Sequence, residues 1–154
     1  KSCRKSVIEY IGAEQVSNWE ILEKECDILI PAALENQIIE ENADNIKASF
    51  IVELANWPIT PIADDILFKN NITVIPDILA NAGWVMVSYF EQVQNNTNFY
   101  WEEEEIDWKL HDKMTLASIS VYNEAEKSNT HLRNAAYIVA MERVLNAMKD
   151  RGEF

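Results

Sequence analysis

Three short apolar runs, separated by segments with helical spacing, most constrain the fold of this chain. The runs read "CDILIPAAL", "SFIVELAN" and "ITVIPDILA". Each run is continuous rather than alternating, which is typical of a strand covered on both faces. Strands that alternate with helices predict an α/β fold, in which parallel strands are joined by right-handed crossovers.

The segments around these runs carry helix signals. "ENQIIEENADNIK", between the first two runs, has apolar residues at helical spacing. "TPIADDILFKN", between the second and third, offers Thr60 as a cap and Pro61 at the first helical position. Upstream, "SNWEILEKE" begins with a serine and a glutamate in capping-box spacing, which predicts a further short helix.

After the third run the pattern becomes wholly helical. Two helices are predicted, at about 101–127 and 131–150, with Gly152 as a stop signal. Their apolar faces comprise Ile106, Leu110, Met114, Ala117, Val121 and Ala125 in the first, and Ile138, Met141, Leu145 and Met148 in the second. The four consecutive glutamates of "WEEEEIDWKLHDKM" fit a solvated helix start better than metal ligands or an acid/base pair.

These patterns predict one domain over residues 1–154. Strand and helix alternate over 1–80, and the C-terminal helices occupy 81–154. The architecture expected is a partial Rossmann-like fold, half of a doubly wound parallel sheet with about three strands, flanking helices and a C-terminal helical segment. A length of 154 residues with 48% hydrophobic composition suits a single core.

Charge and cysteine content exclude several classes of function. The chain has 26 acidic and 13 basic residues, a formal charge of −13, which disfavours nucleic acid and anionic membranes as partners. Cys3 and Cys26 form no zinc pattern with the two histidines, so no metal is expected. Without a long apolar run or a signal-peptide core, we expect a soluble, cytoplasmic protein. The chain opens on Lys1 rather than Met, which is consistent with a fragment or a processed product.

A dinucleotide site needs a glycine-rich turn, because only glycine lets a pyrophosphate approach backbone N–H groups closely. The three glycines of this chain are Gly12, Gly83 and Gly152, and no G-x-G-x-x-G can be assembled from them. The phosphate-binding half of such a fold is therefore not encoded in these 154 residues.

Asparagines nevertheless follow the three predicted strands, at the edge where an open sheet receives ligands. They are Asn36, Asn56 and Asn81, and an amide that both donates and accepts suits a carboxamide or ribose. A turn or helix-cap role is the alternative for each. Ser88, one helical turn beyond Trp84, either faces the crevice and holds a carboxylate or bonds back to the Trp84 carbonyl.

The whole chain closely resembles the C-terminal part of bacterial and archaeal glutamate dehydrogenases. The motifs that carry this resemblance are, in order, "DILIPAALENQI", "ENADNIKA", "ANWPITPIADDIL", "VIPDILANAGWVMVSYFEQVQN", "FYWEEEE" and "LRNAAYIVAMERVLNAMKDRG". The resemblance implies the later strands of a nucleotide-binding domain followed by C-terminal helices. It also implies a family that oxidatively deaminates glutamate to 2-oxoglutarate and ammonia with NAD or NADP, usually as a hexamer.

The resemblance also implies roles for individual residues. Asn36 and Asn56 would lie near the cofactor, Asn81 would approach the nicotinamide and substrate, and Ser88 would contact the substrate side-chain carboxylate. No catalytic residue is implied in this chain, because the catalytic lysine and aspartate of the family belong to an N-terminal substrate domain. The chain alone is therefore expected to be inactive, with glutamate or 2-oxoglutarate bound only by a complete enzyme.

This sequence departs from the family at positions near the crevice. The family motif N-A-G-G-V-T-V-S-Y here has Trp84 and Met86, and A-N-G-P-T-T-P has Trp57 and Ile59. The glycine of E-G-A-N is Leu54. Large apolar side chains in place of glycines are expected to fill the space of the cofactor and substrate and to weaken their binding.

Two hypotheses follow. The first is a dehydrogenase fragment that transfers hydride within a longer chain. The second is a non-catalytic protein, decayed or engineered, in which Leu54, Trp57, Ile59 and Trp84 fill the cleft, rebuild a core or bind a protein partner. Under the second hypothesis "DILIP", which normally pairs with a strand of the missing half, would present an unpaired edge. We expect this edge to self-associate or to be covered by the N-terminal "SVIEYIG".

Overall fold

The computed structural model describes residues 10–153, which form an α/β fold around a three-stranded parallel sheet. The strands are β1 (Ile28–Leu29), β2 (Phe50–Val52) and β3 (Thr73–Ile75). They lie in chain order across the sheet, and Ile51 of β2 pairs with Leu29 on one side and Val74 on the other. The predicted partial Rossmann-like architecture is confirmed.

Helices flank the strands and then follow them. The helices are α1 (Asn18–Leu22), α2 (Glu40–Ala43), α3 (Pro61–Lys69), α4 (Asp77–Ala80), α5 (Ala82–Thr97), α6 (Glu103–Ser128) and α7 (Leu132–Asp150). Within the part of the chain that the structure describes, every strand precedes residue 81 and only helices follow it.

The predicted helix signals lie where the helices begin and end. Thr60 Oγ1 accepts a hydrogen bond from the backbone N–H of Ala63, and Pro61 is the first residue of α3. Ser17 and Glu20 form a reciprocal capping box at the start of α1. Gly152 adopts φ +74 just beyond α7, a left-handed conformation that glycine accommodates without strain. These predictions are confirmed.

The helix predicted between the first two strands is much shorter than expected. The backbone of residues 36–38 bonds instead to the segment after β2, with Gln37 and Ile38 N–H both donating to the Pro58 carbonyl. Ile38 also bridges Ile59 in parallel. Because this stretch is extended, the helix begins only at Glu40 and makes a single turn.

The prediction that the first strand is covered on both faces is wrong. β1 is two residues long and lies at one edge of the sheet, and Ile28 is 55% exposed. Of the "SVIEYIG" segment, residues 6–9 lie outside the described residues, as does Cys3, and Tyr10 and Ile11 are largely exposed. Among the described residues, β1 has no strand partner other than β2.

Two hydrophobic clusters lie on opposite faces of β3. Consecutive residues of a strand point to opposite faces, and Val74 packs in one cluster while Ile75 packs against the other. The first cluster joins β2 and β3 to α2 and α3 through residues that include Ile51 and Leu67. The second joins α4, α6 and α7 and is centred on Leu79, Val121, Ala135 and Ala136.

The two long C-terminal helices differ in how far their inner faces are buried. The predicted inner face of α6 is at least partly buried, most fully at Val121. In α7 the first turns contribute Ala135 and Ala136 to the core, whereas Met141 and Leu145 of the predicted apolar face are exposed.

Candidate functional site

The carboxyl ends of β2 and β3 bring two of the predicted asparagines into direct contact. Asn81 Nδ2 donates a 2.8 Å hydrogen bond to Asn56 Oδ1. Asn56 follows β2 and is exposed, while Asn81 caps the C-terminus of α4, immediately after β3, and is partly buried. An amide pair therefore lies at the edge of the sheet where open parallel sheets receive ligands.

Asn36 joins this edge through its backbone. Its N–H donates to the Trp57 carbonyl at 2.9 Å, which ties the loop after β1 to the loop after β2. Its own φ is +52, a left-handed conformation that asparagine tolerates better than most residues. Asn36 therefore has a turn role, and its side chain is exposed.

Trp57 occupies a backbone conformation that rarely suits a bulky residue. Its φ is +51, so the turn keeps the left-handed geometry that a glycine would adopt freely, at a cost of roughly 1–2 kcal/mol for an L-residue. Two contacts hold it there: its N–H donates to Asp77 Oδ2 at 2.8 Å, and its indole stacks on Tyr137 of α7 at 6.4 Å between ring centroids. The indole remains 49% exposed beside the amide pair.

The other three large replacements do not fill the crevice together. Ile59 is fully buried in the first hydrophobic cluster, where it contacts the core rather than the crevice. Leu54 is exposed, and Trp84, in the first turn of α5, is 76% exposed. Trp84 therefore does not pack internally against the described residues 10–153, so that part of the hypothesis is wrong. Its side chain faces solvent.

Ser88 is exposed on α5, one turn beyond Trp84. In the described part of the chain, no hydrogen bond joins it to Asn36, Asn56 or Asn81. The structure thus brings together the three predicted cofactor residues and places the predicted substrate residue on the neighbouring helix.

A buried ion cluster lies beneath this edge and was not predicted from the sequence. Arg133, in the first turn of α7, donates through Nη2 to Glu53 Oε1 at 2.7 Å and through Nε to Asp64 Oδ2 at 2.7 Å. Its Nη1 donates to Asp77 Oδ1 at 3.2 Å. All four side chains are buried, and they come from β2 or its end, α3, α4 and α7.

Burial and neighbouring charges raise the pKa of Glu53 and that of Arg133. Desolvation raises the pKa of Glu53, and it outweighs the opposing effect of the Arg133 hydrogen bond and charge. Desolvation alone would lower the pKa of Arg133, but the hydrogen bonds and charges of Glu53 and Asp64 raise it. The guanidinium is therefore charged at any ordinary pH, and it faces three carboxyl groups.

A sequence signal for the cluster exists but is subtle. Glu53 interrupts an apolar run, Asp77 sits between Pro76 and Ile78, and Arg133 lies beside two residues of a helix core. Charged residues inside apolar runs are rarely buried unless paired, so each signals a partner. The sequence alone does not say which carboxylates meet which arginine, because the four residues are up to 80 positions apart.

A separate cavity of about 410 Å³ lies near the amino end of β3, between α3 and the junction of α6 and α7. Its lining includes Phe68, Tyr122, Glu126, Asn129 and His131. None of the three site asparagines lines it. No group of three or more His, Cys, Asp or Glu side chains within residues 10–153 is arranged to hold a metal ion. No described helix is long and apolar enough to cross a membrane.

Comparison with known proteins gives one consistent result. The chain is 49% identical over 139 residues to the NAD-specific glutamate dehydrogenase of Staphylococcus aureus strain COL, a match that covers 90% of this chain and 34% of that protein. It is similar to the crystal structure of glutamate dehydrogenase from Peptoniphilus asaccharolyticus, with a TM-score of 0.77 and 43% identity over 81% of this chain and 32% of that one.

A second structural relative is more distant in sequence and closer in fold. The hetero-hexameric glutamate dehydrogenase of Thermus thermophilus, in its Leu-bound form, has a TM-score of 0.86 at 28% identity, over 92% of this chain and 34% of that one. The chain thus spans about a third of the length of the relatives it matches. Residues 1–152 match the sequence model of the family described as Glutamate/Leucine/Phenylalanine/Valine dehydrogenase. This chain therefore belongs to the glutamate/leucine/phenylalanine/valine dehydrogenase family.

Proposed function

We propose that this chain is the cofactor-binding C-terminal part of a glutamate dehydrogenase-type oxidoreductase. NAD or NADP would bind against the exposed edge formed by Asn36, Asn56 and Asn81. In the complete protein the reaction would be oxidative deamination of glutamate to 2-oxoglutarate and ammonia, with hydride passing to the cofactor. Ser88 would hold the substrate side-chain carboxylate, and catalytic groups would come from outside this chain.

The contact between Asn81 and Asn56 carries the proposal. It uses one donor of Asn81 and one acceptor site of Asn56, and each amide keeps a second polar atom that a ligand can meet. A nicotinamide carboxamide is itself a donor and an acceptor, so it is chemically matched to this pair. The glycine-rich cradle for a pyrophosphate is not in the sequence, so the fit is to the nicotinamide side of the cofactor only.

The test is a titration of NADH and NADPH into the purified chain, followed by energy transfer from its five tryptophans. A second series adds 2-oxoglutarate. We expect saturable binding that Asn81→Ala abolishes and that Asn123→Ala leaves unchanged, because Asn123 is an exposed asparagine on α6, outside this edge. Binding that survives Asn81→Ala would place the cofactor elsewhere.

A second candidate function is favoured by the exposed start of α5. Trp84 and Val85 are 76% and 73% exposed and lie side by side, an arrangement typical of a protein contact rather than of a nucleotide cleft. The same titration separates the two candidates. No binding at millimolar cofactor would favour the non-catalytic, protein-binding hypothesis.

A further inference from the structure

We propose that Arg133 is a positioning residue for the strand-end surface: acting through Asp77, it fixes the relative placement of Trp57 and Asn81. The proposal rests on the proposed cofactor role of Asn56 and Asn81. It adds a residue that lies on α7, outside that surface, and that the strand-end pattern does not reveal.

The first step is geometric. The guanidinium of Arg133 has a planar, fixed set of donors, and here three different nitrogens each meet a different carboxylate. The three carboxylates belong to separate segments of the chain, so one side chain sets the distances among them. A lysine in the same place would keep the charge but could not reproduce the planar fork.

The second step runs through Asp77. Its Oδ1 accepts from Arg133, and its Oδ2 accepts from the Trp57 N–H at 2.8 Å. Its backbone carbonyl accepts from the Asn81 N–H at 3.0 Å. One residue therefore bonds to the loop that carries Asn56 and Trp57 and to the residue that completes the amide pair.

The third step is electrostatic. Glu53 Oε2 accepts from the Asp77 N–H at 2.7 Å, so the carboxyl groups of Glu53 and Asp77 are held close together. A carboxylate in a buried place needs a cation and hydrogen bonds to offset the loss of its water. Arg133 supplies that cation, which lets Asp77 stay where it can accept from Trp57. The left-handed backbone of Trp57 would otherwise tend to relax.

The experiment compares Arg133→Lys with Arg143→Lys in the full chain. Arg143 lies on the same helix and is exposed, so it matches the chemical change without touching the cluster. Two quantities are measured: the NADH dissociation constant, and the NMR signals of the Trp57 backbone amide and the Asn56 and Asn81 side-chain amides. Circular dichroism reports whether each variant is folded.

We expect Arg133→Lys to remain folded, to shift those three amide signals, and to speed hydrogen exchange at the Trp57 N–H. We expect it to raise the NADH dissociation constant on the order of tenfold, by analogy with the loss of a residue that orients a metal ligand. Arg143→Lys should change none of these. A merely structural role for Arg133 would lower stability while leaving the amide signals and the affinity of the folded chain unchanged, and that result would overturn the proposal.

A fallback measurement covers two outcomes: a variant that does not fold, and a parent chain that binds no NADH. If Arg133→Lys does not fold, Asp77→Asn removes the charged link without leaving an unpaired buried charge. The Asn56 and Asn81 side-chain amide signals are then compared, because the Asp77 side chain bonds directly to the Trp57 N–H but to neither of these amides. If the parent chain binds no NADH, the proposed function fails, while the shift of the Trp57 and Asn81 signals still tests positioning. Unmoved signals in both Arg133→Lys and Asp77→Asn would refute the positioning role whatever the cofactor does.

Discussion

At the scale of single residues, buried charge distinguishes this chain from an ordinary α/β core. Glu53 is fully buried and bonds through both oxygens, to Arg133 and to the Asp77 N–H. Burial removes water from the ionised form of Glu53, and this desolvation outweighs the opposing hydrogen bond and charge of Arg133, so the pKa of Glu53 is raised.

This shift predicts how stability depends on pH. Because the pKa of Glu53 is raised above its ordinary value of 4.5, the folded state binds more protons than the unfolded state above that pH. The stability that Glu53 contributes to the folded state is complete below pH 4.5, and it is lost as the pH rises through the pKa of Glu53 in the folded state. Glutamine does not titrate, so the stability of Glu53→Gln relative to the parent chain should increase with pH across this range.

Urea unfolding at a series of pH values from about 4 to 8 would measure the difference. Glu35→Gln is the control, because Glu35 is an exposed glutamate in the loop after β1. A relative stability of Glu53→Gln that stays constant or falls as pH rises would contradict the prediction.

At the scale of elements, α6 and α7 are buried most deeply where they pack in the second cluster, and the C-terminal half of α7 is largely exposed. Val121 of α6 is 4% exposed and packs in the second cluster, whereas Val144 of α7 is 60% exposed. The same substitution at the two positions therefore removes very different amounts of buried surface. The stability of these helices depends on packing around Leu79 and Ala135.

Val121→Ala should lower the free energy of unfolding by about 2 kcal/mol, because it removes two buried methyl groups and leaves a cavity. Val144→Ala should change it by less than about 0.5 kcal/mol, as is usual for an exposed position. Both values come from urea or thermal unfolding of the isolated chain. Equal losses at the two positions would mean that the end of α7 is covered by another molecule under the conditions used.

At the scale of the whole molecule, the β1 edge is where we propose that two copies of this chain associate. β1 pairs only with β2 among the described residues, and its Ile28 side chain is 55% exposed. An unpaired strand edge with apolar side chains is a template for another strand. The formal charge of −13 opposes association, so it should strengthen as salt is added.

Ile28→Lys places a charge at this edge and should shift the chain toward monomer in sedimentation velocity experiments. Ile62→Lys is the matched control, because Ile62 is 56% exposed but lies on α3. A parent chain that is monomeric at all concentrations, with rapidly exchanging β1 amides, would contradict the proposal. A loss of association in Ile62→Lys alone would move the contact to α3.

Much of the fold could be predicted because its signals are local. The caps at Ser17 and Thr60 and the stop at Gly152 depend on residues within one helical turn, so the sequence contains the whole cause. The helix between β1 and β2 is shorter than predicted because Ile38 bonds to a segment about 20 residues away, and local spacing does not reveal such a contact. The predicted burial of β1 was wrong because it depends on what packs on the face of the sheet: Ile28 and its register partner Phe50 in the central strand are both about half exposed.

The candidate site divides in the same way. The position of Asn36, Asn56 and Asn81 at one edge could be predicted, because each follows a predicted strand and the carboxyl ends of parallel strands lie at the same edge of a sheet. Only the tertiary structure decided that Trp84 faces solvent and that Arg133 joins three distant carboxylates. Local chemistry fixes which way a chain turns, whereas the burial and pairing of a charge depend on residues that meet only when the chain has folded.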